Sequence, residues 1–201
     1  MGYDDSERRG GPAHPAHRGP TAVKLLIAGG FGVGKTTMVA SVSEVEPLRT
    51  EEYLTVTSVG VDDLAGVGDK DTTTVAMDFG RITVSPELVV YLFGTPGQER
   101  FWFMWDDLVL GALGAVVIAD TRRLQTSFGS IDFFENRGIP FVVGVNCFDG
   151  YQNRTIPEVR EALDLDPRVP VLMGDFRQRS ASRDVLLTLV DHLMDSSLGA
   201  G

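Results

Sequence analysis

The stretch Gly29-Gly30-Phe31-Gly32-Val33-Gly34-Lys35-Thr36-Thr37, GGFGVGKTT, decides the fold. Four residues separate Gly29 from Gly34-Lys35-Thr36, the spacing of a P-loop. The stretch follows the strand-like run AVKLLIAGG and leads into a helical-looking segment, Thr36 to Val42. Glycines let such a loop curl close to phosphate oxygens, so that the N–H groups from Gly29 through Gly32, Val33, Gly34, Lys35, Thr36 and Thr37 point at an anion. A helix start adds partial positive charge, Lys35 is placed to reach the outer phosphates, and the Thr36 hydroxyl is placed to meet a magnesium ion. The competing reading is a glycine-rich strand–helix turn with an exposed lysine; spacing and context favour a nucleoside triphosphate site, without specifying base or reaction.

Beyond this loop, apolar runs recur at Val75 to Val84, Leu88 to Phe93, Gly114 to Ala119, Pro140 to Val145 and Val169 to Met173, with helix-length segments between the later ones. That rhythm predicts a mainly parallel six-stranded sheet with one antiparallel strand and helices on both faces. In the last helix, Val185, Leu186, Leu189, Val190 and Leu193 form an apolar stripe, and Ser180 or Ser182 is expected to cap its start. Ligands in such sheets bind beyond the carboxyl ends of the strands. This singles out Gly29 to Thr37, Gly94 to Arg100, Asp120, Asn146 to Asp149 and Gly174 to Arg177.

The chain of 201 residues accommodates one domain, expected over residues 21–195, with a disordered tail over 1–20 and a flexible end over 196–201. A net charge of -10 argues against a phosphate-tracking nucleic-acid surface, although backbone N–H groups still permit a local anion pocket. Cys147 is the sole cysteine, which excludes an internal disulfide and a thiolate-rich zinc site. No apolar run reaches the roughly 18 residues of a membrane span. The expected compartment is the cytoplasm, with any membrane recruitment made through partners.

With GGFGVGKTT, LFGTPGQERF (92–101) and VNCFDG (145–150) in that order, the chain resembles a Ras-like small GTPase. TTTVAMDFGRI, TPGQERF and DVLLTLVDHL bring it nearest to the bacterial MglA-type branch, and to the conservon GTPases of actinomycetes, CvnD. The resemblance implies a GTP/GDP switch using Mg²⁺, with Roadblock-type regulators and sensor-complex proteins as partners. It places Asn146 and Asp149 at the base: a carboxylate accepts two hydrogen bonds from guanine, a donor pair that adenine does not present. Asn and Asp after a strand are also ordinary turn residues. Cys147 replaces the family's lysine between them, shortening the stem that covers the purine. Asp175 and Phe176 fall where the fifth family motif would pack near the base.

Thr72, Thr73 and Thr74 are candidates for the first-switch ligand to magnesium and γ-phosphate, and the resemblance favours Thr74. It also makes Gln98, after Gly97, the residue that orients the attacking water. Gly94 stands where the family has a magnesium-directing aspartate. Joining Val75–Val84 to Leu88–Phe93 through Ser85-Pro86-Glu87 pairs Val84 with Leu88, so paired numbers sum to 172 and Asp78 falls opposite Gly94. A carboxylate missing from one strand is thereby supplied by its neighbour, making Asp78 a candidate metal residue with Thr36 and Thr74. The MglA-type branch has an arginine before the switch threonine; Thr73 stands there, which implies slow hydrolysis unless Arg100 or a partner substitutes. The alternatives are a nucleotide-binding interaction module with little hydrolysis and an ATP-dependent P-loop phosphotransferase.

Overall fold

A computed structural model describes residues 19–46, 48–55, 72–148 and 153–198. The expected tail therefore lies almost wholly outside the described residues, as does Asp149. In chain order the elements are β1 (Thr21–Ala28), α1 (Lys35–Val42), β2 (Leu48–Thr55), β3 (Thr72–Ser85), β4 (Leu88–Gly94), α2 (Trp105–Val109), β5 (Ala112–Ala119), α3 (Phe128–Arg137), β6 (Phe141–Asn146), α4 (Ile156–Ala162), β7 (Val171–Gly174) and α5 (Arg179–Leu198). Short 3-10 helices at Glu99–Met104 and Leu124–Ser127 precede α2 and α3.

Among the described residues one sheet contains all the strands, in the order β2-β3-β4-β1-β5-β6-β7. β3 runs antiparallel to both of its neighbours, and every other pairing is parallel. The six expected strands form this mainly parallel sheet, and β2 adds a seventh at its edge. The sequence LRTEEYLT gives β2 no alternating apolar pattern, so its pairing with β3 carried no local signal.

Strand alternation divides the core. Leu25 and Ile27 of β1 pack with Val116 and Ile118 of β5 under α1 and α5, through Met38, Val39, Val185 and Leu189. Their neighbours Leu26, Ala28, Val117 and Ala119 face Trp105, Ile131, Phe134 and Val159 from α2, α3 and α4. This double coverage accounts for the almost uninterrupted apolar runs of β5 and β6.

Two local expectations are corrected. Pairs from Phe79–Phe93 to Thr83–Val89 keep the sum of 172, but the hairpin closes with Ser85 against Leu88, leaving Val84 as a bulged extra residue. The Ser85 hydroxyl accepts the Glu87 N–H at 3.2 Å, which tightens the loop to Pro86 and Glu87. At α5, Ser182 is not a cap. It is buried inside the helix, donates to the Phe176 carbonyl at 3.0 Å and accepts from Ser41 at 2.8 Å. Asp175 instead prepares the helix start, accepting the Arg177 N–H at 3.0 Å while its own carbonyl takes the Gln178 N–H.

Candidate functional site

The carboxyl ends of β1, β4, β5, β6 and β7 deliver the P-loop, Gly94, Asp120, Asn146 and Gly174 to one edge of the sheet. The P-loop bends in ways other residues tolerate poorly. Gly29 has φ 131°, and a Cβ there would sit 2.4 Å from the Ile118 carbonyl oxygen; Gly34 has φ 107°, and its Cβ would sit 2.5 Å from Asn146 Nδ2. α1 starts at Lys35 with no side-chain cap and no acidic residue in its first turn, so the positive end of the helix faces the loop uncompensated.

Lys35 is buried, and its ammonium donates to the carbonyls of Gly29 at 2.8 Å and Gly30 at 2.7 Å. Burial lowers its pKa to about 8, while the nearby negative charge of Asp78 pulls the other way. The turn after β4 presses on this amine, since a Cβ on Gly97 would lie 2.6 Å from Lys35 Nζ. Gln98 follows, half-buried, at the start of the Glu99–Met104 turn. Thr37 is exposed on α1, and Val33 is buried beneath the loop.

Thr36 Oγ1 donates to Asp78 Oδ2 at 2.7 Å. A Cβ built on Gly94 would lie 2.9 Å from Asp78 Cβ and 3.0 Å from Asp78 Oδ2. Asp78 thus fills the space that the absent side chain at position 94 leaves. A hydroxyl and a carboxylate oxygen suit a hard divalent cation such as Mg²⁺, which usually takes one or two protein oxygens and completes its shell with phosphate and water. Among the described residues no group of three or more His, Cys, Asp and Glu gathers as a protein-only metal cage. Thr74 stands apart from this pair. It lies in β3 opposite Tyr53, four residues from Asp78, or about 13 Å of strand.

Asn146 holds three loops together. Its Nδ2 donates to the Val33 carbonyl at 2.9 Å, and its Oδ1 accepts the Phe176 N–H at 3.3 Å. Phe176 itself is a core residue whose ring lies against Gly144, where a Cβ would meet it at 2.8 Å. Asp175 forms a two-pronged pair with Arg177, through Nε at 2.9 Å and Nη2 at 2.7 Å. The Cys147 thiol is half-buried, and burial pushes its pKa up.

The structure adds two arginines to the residues expected from the sequence. Asp120 is buried, and Arg122 grips it through Nε at 2.9 Å and Nη2 at 2.7 Å, holding the carboxyl below its ordinary range. Arg123 extends toward the P-loop, with Nη2 3.5 Å from the Phe31 carbonyl oxygen and 3.6 Å from Asp120. The signal was the pair Arg122-Arg123 immediately after a polar strand end, but nothing in the spacing shows that Arg123 turns back to the loop.

A larger open cavity of about 700 Å³ lies near the opposite strand ends, where Glu135, Asp164 and Asp166 gather beside His192. Burial and the neighbouring Asp132, Asp164 and Asp166 raise the Glu135 pKa, and Arg168 in the same lining is paired with Asp166.

Solved structures with the same fold include two from one iron transporter. The cytosolic domain of the T. maritima FeoB iron transporter, in a GDP form, superposes with a TM-score of 0.61 at 16% identity, over 87% of this chain and 64% of that one. The G domain of the same transporter gives a TM-score of 0.56 at 18% identity, over 88% and 99%. This chain therefore spans less than two thirds of the FeoB cytosolic domain and nearly all of its G domain. The uncharacterized protein MJ1339 of Methanocaldococcus jannaschii is 30% identical over 129 residues, 63% of this chain and 71% of that protein. A family model described as conserved hypothetical ATP binding protein matches residues 27–196. With that match over most of its length, and with a P-loop nucleotide-binding fold, the chain belongs to this family of conserved hypothetical ATP binding proteins.

Proposed function

We propose that this chain is a GTP/GDP-dependent molecular switch that hydrolyses GTP slowly with Mg²⁺ and signals by changing which partner it binds. The observation that carries the reading is the Thr36–Asp78 contact at 2.7 Å, set directly beneath the P-loop and against side-chain-free Gly94. Lys35 and the loop N–H groups of Gly29, Gly32, Val33, Gly34, Thr36 and Thr37 hold the phosphates, and Gly97 meets the γ-phosphate. Thr36 and Asp78 would hold Mg²⁺, which when bound would neutralise phosphate charge. Gln98 orients the attacking water, so catalysis rests on positioning and electrostatics rather than on a covalent intermediate.

Thr74 joins the γ-phosphate only if the start of β3 moves along or away from β2, and that movement is the switch in this reading. Asn146 and Asp149, with Asp175 and the backbone of Phe176, form the base end. The finer placement in the MglA-type, conservon branch supplies Roadblock-type regulators and sensor-complex proteins as proposed partners, in the cytoplasm or recruited by them to a membrane. The 21–195 domain boundary belongs to the same proposal.

A second reading, ATP as the nucleotide, is favoured by the family's description. Competition of GDP and ADP for the site separates the two. Preference for GDP by tenfold or more supports the guanine reading, and equal or reversed binding removes it.

A further inference from the structure

We infer that Arg123 supplies, from within the chain, the positive charge that neutralises the phosphate chain as the terminal phosphoryl group is transferred to water. This rests on the proposed hydrolytic reading and identifies a residue that the motifs do not.

The switch strand carries Thr73 where an arginine would serve, so any such charge from within the chain has to come from another residue. Arg100 is exposed, and its guanidinium lies over its neighbour Phe101, 4.8 Å from the ring centroid. Arg122 is committed to Asp120 and stacks 4.2 Å from the centre of the Phe148 ring. Arg123 differs in both position and hold. Its Nη2 lies 3.6 Å from where a Cβ of Gly32 would stand, so position 32 puts no side chain against the guanidinium. Its contacts to the Phe31 carbonyl, 3.5 Å, and to Asp120, 3.6 Å, are long for hydrogen bonds. Charge-assisted bonds to phosphate, at about 2.7 to 2.9 Å, would replace them at small cost.

A cavity of about 190 Å³ has Gly29, Gly30, Gly97 and Arg123 in its lining, together with Trp102 and Thr126, so the guanidinium and the Gly97 turn face a common space beside the loop. In the step itself a water oxygen bonds to the terminal phosphorus as the bond from that phosphorus to the bridging oxygen breaks. The electron pair remains on the bridging oxygen, and the water's protons leave with inorganic phosphate and solvent. Arg123 donates to the bridging and terminal oxygens as that charge grows, while Lys35 stabilises it from within the P-loop.

The test uses the full chain with Arg123→Ala and Arg123→Lys, measuring single-turnover hydrolysis of GTP and of ATP with Mg²⁺, and binding of GDP with and without aluminium fluoride. Arginines in this role contribute about 10³ to 10⁵ in rate, so Arg123→Ala should lose at least about 100-fold while GDP affinity stays within about threefold. Arg123→Lys should restore little, because lysine lacks the planar fork. The fluoride-dependent gain in GDP affinity should disappear in both variants. Equal rates and equal fluoride gains in parent and variants would overturn the Arg123 assignment alone. A parent chain inert toward both triphosphates would overturn this inference together with the hydrolytic reading.

Discussion

Asp78 and Gly94 lie on adjacent antiparallel strands so close together that a Cβ on Gly94 would be 2.9 Å from the Cβ of Asp78. Opposed side chains in such a pair normally keep their Cβ atoms about 4.5 to 5.5 Å apart. In this backbone, then, only one of the two positions carries a side chain without displacement, and the carboxylate stands on β3. Gly94→Ala is expected to push Asp78 off Thr36 and to lower Mg²⁺-dependent nucleotide affinity by about 10- to 100-fold. Exchanging the residues, Asp78→Gly with Gly94→Asp, should recover much of that loss. Calorimetric titration of both variants with GDP and Mg²⁺ checks this, and an exchange no better than Gly94→Ala would contradict the shared-space account.

Lys35 gives the site a pH signature. Its pKa of about 8 in the folded chain, against an ordinary 10.5, means that the unfolded chain holds more protons between those values. Stability of the nucleotide-free protein should therefore rise with pH across that window, because the buried ammonium's penalty is relieved as it deprotonates. Phosphate restores the charged form, so nucleotide binding above about pH 8 should take up a proton. Calorimetry at pH 9 in buffers of different ionisation enthalpy measures that uptake. Lys35→Ala should abolish it and cost about 100-fold or more in affinity, consistent with the loss of charge-assisted bonds.

Asn146 is the bridge between the P-loop and the approach to α5. Asn146→Ala removes the donor to Val33 and the acceptor for Phe176 N–H, leaving buried backbone groups without that partner. A stability loss of about 1 to 3 kcal/mol is expected by denaturant titration, together with weaker nucleotide binding. A loss of nucleotide affinity with unchanged stability would instead assign Asn146 to the ligand alone.

Gly129 admits the Trp102 indole of the Glu99–Met104 turn. A Cβ at Gly129 would stand 1.9 Å from Trp102 Cη2, so Gly129→Ala must expel the indole from α3. Tryptophan emission should shift to longer wavelength. Trp105 should remain in place, held by its Nε1 bond to the Pro96 carbonyl at 3.2 Å and by the aromatic contacts of Phe133 and Phe134. The Trp102→Ala background should show no comparable shift on adding Gly129→Ala.

The sequence carries the P-loop and the β3–β4 register legibly because both depend on local spacing. Glycines before Lys35 specify the loop, and two apolar runs around Pro86 specify which residues face one another. The closing turn is not legible there, because the Ser85 hydroxyl takes up the Glu87 N–H and shifts the loop by one residue, which hydropathy does not encode. β2 escaped notice because its polar residues obtain their pairing from β3. Arg123 was hidden for a different reason: its reach to Phe31 spans 92 positions in the chain and exists only after β1 and β5 align. Phe176 looked like a base contact by motif position, whereas its size and burial give it to the core.

The Asp78 carboxylate is central to the proposed metal site, and binding of GDP with and without Mg²⁺ to the parent chain and to Asp78→Ala tests its role most directly. The prediction is that Mg²⁺ raises parent affinity by about tenfold or more, and that Asp78→Ala removes this gain while its Mg²⁺-free affinity stays within about threefold. An equal Mg²⁺-dependent gain in both proteins would contradict it.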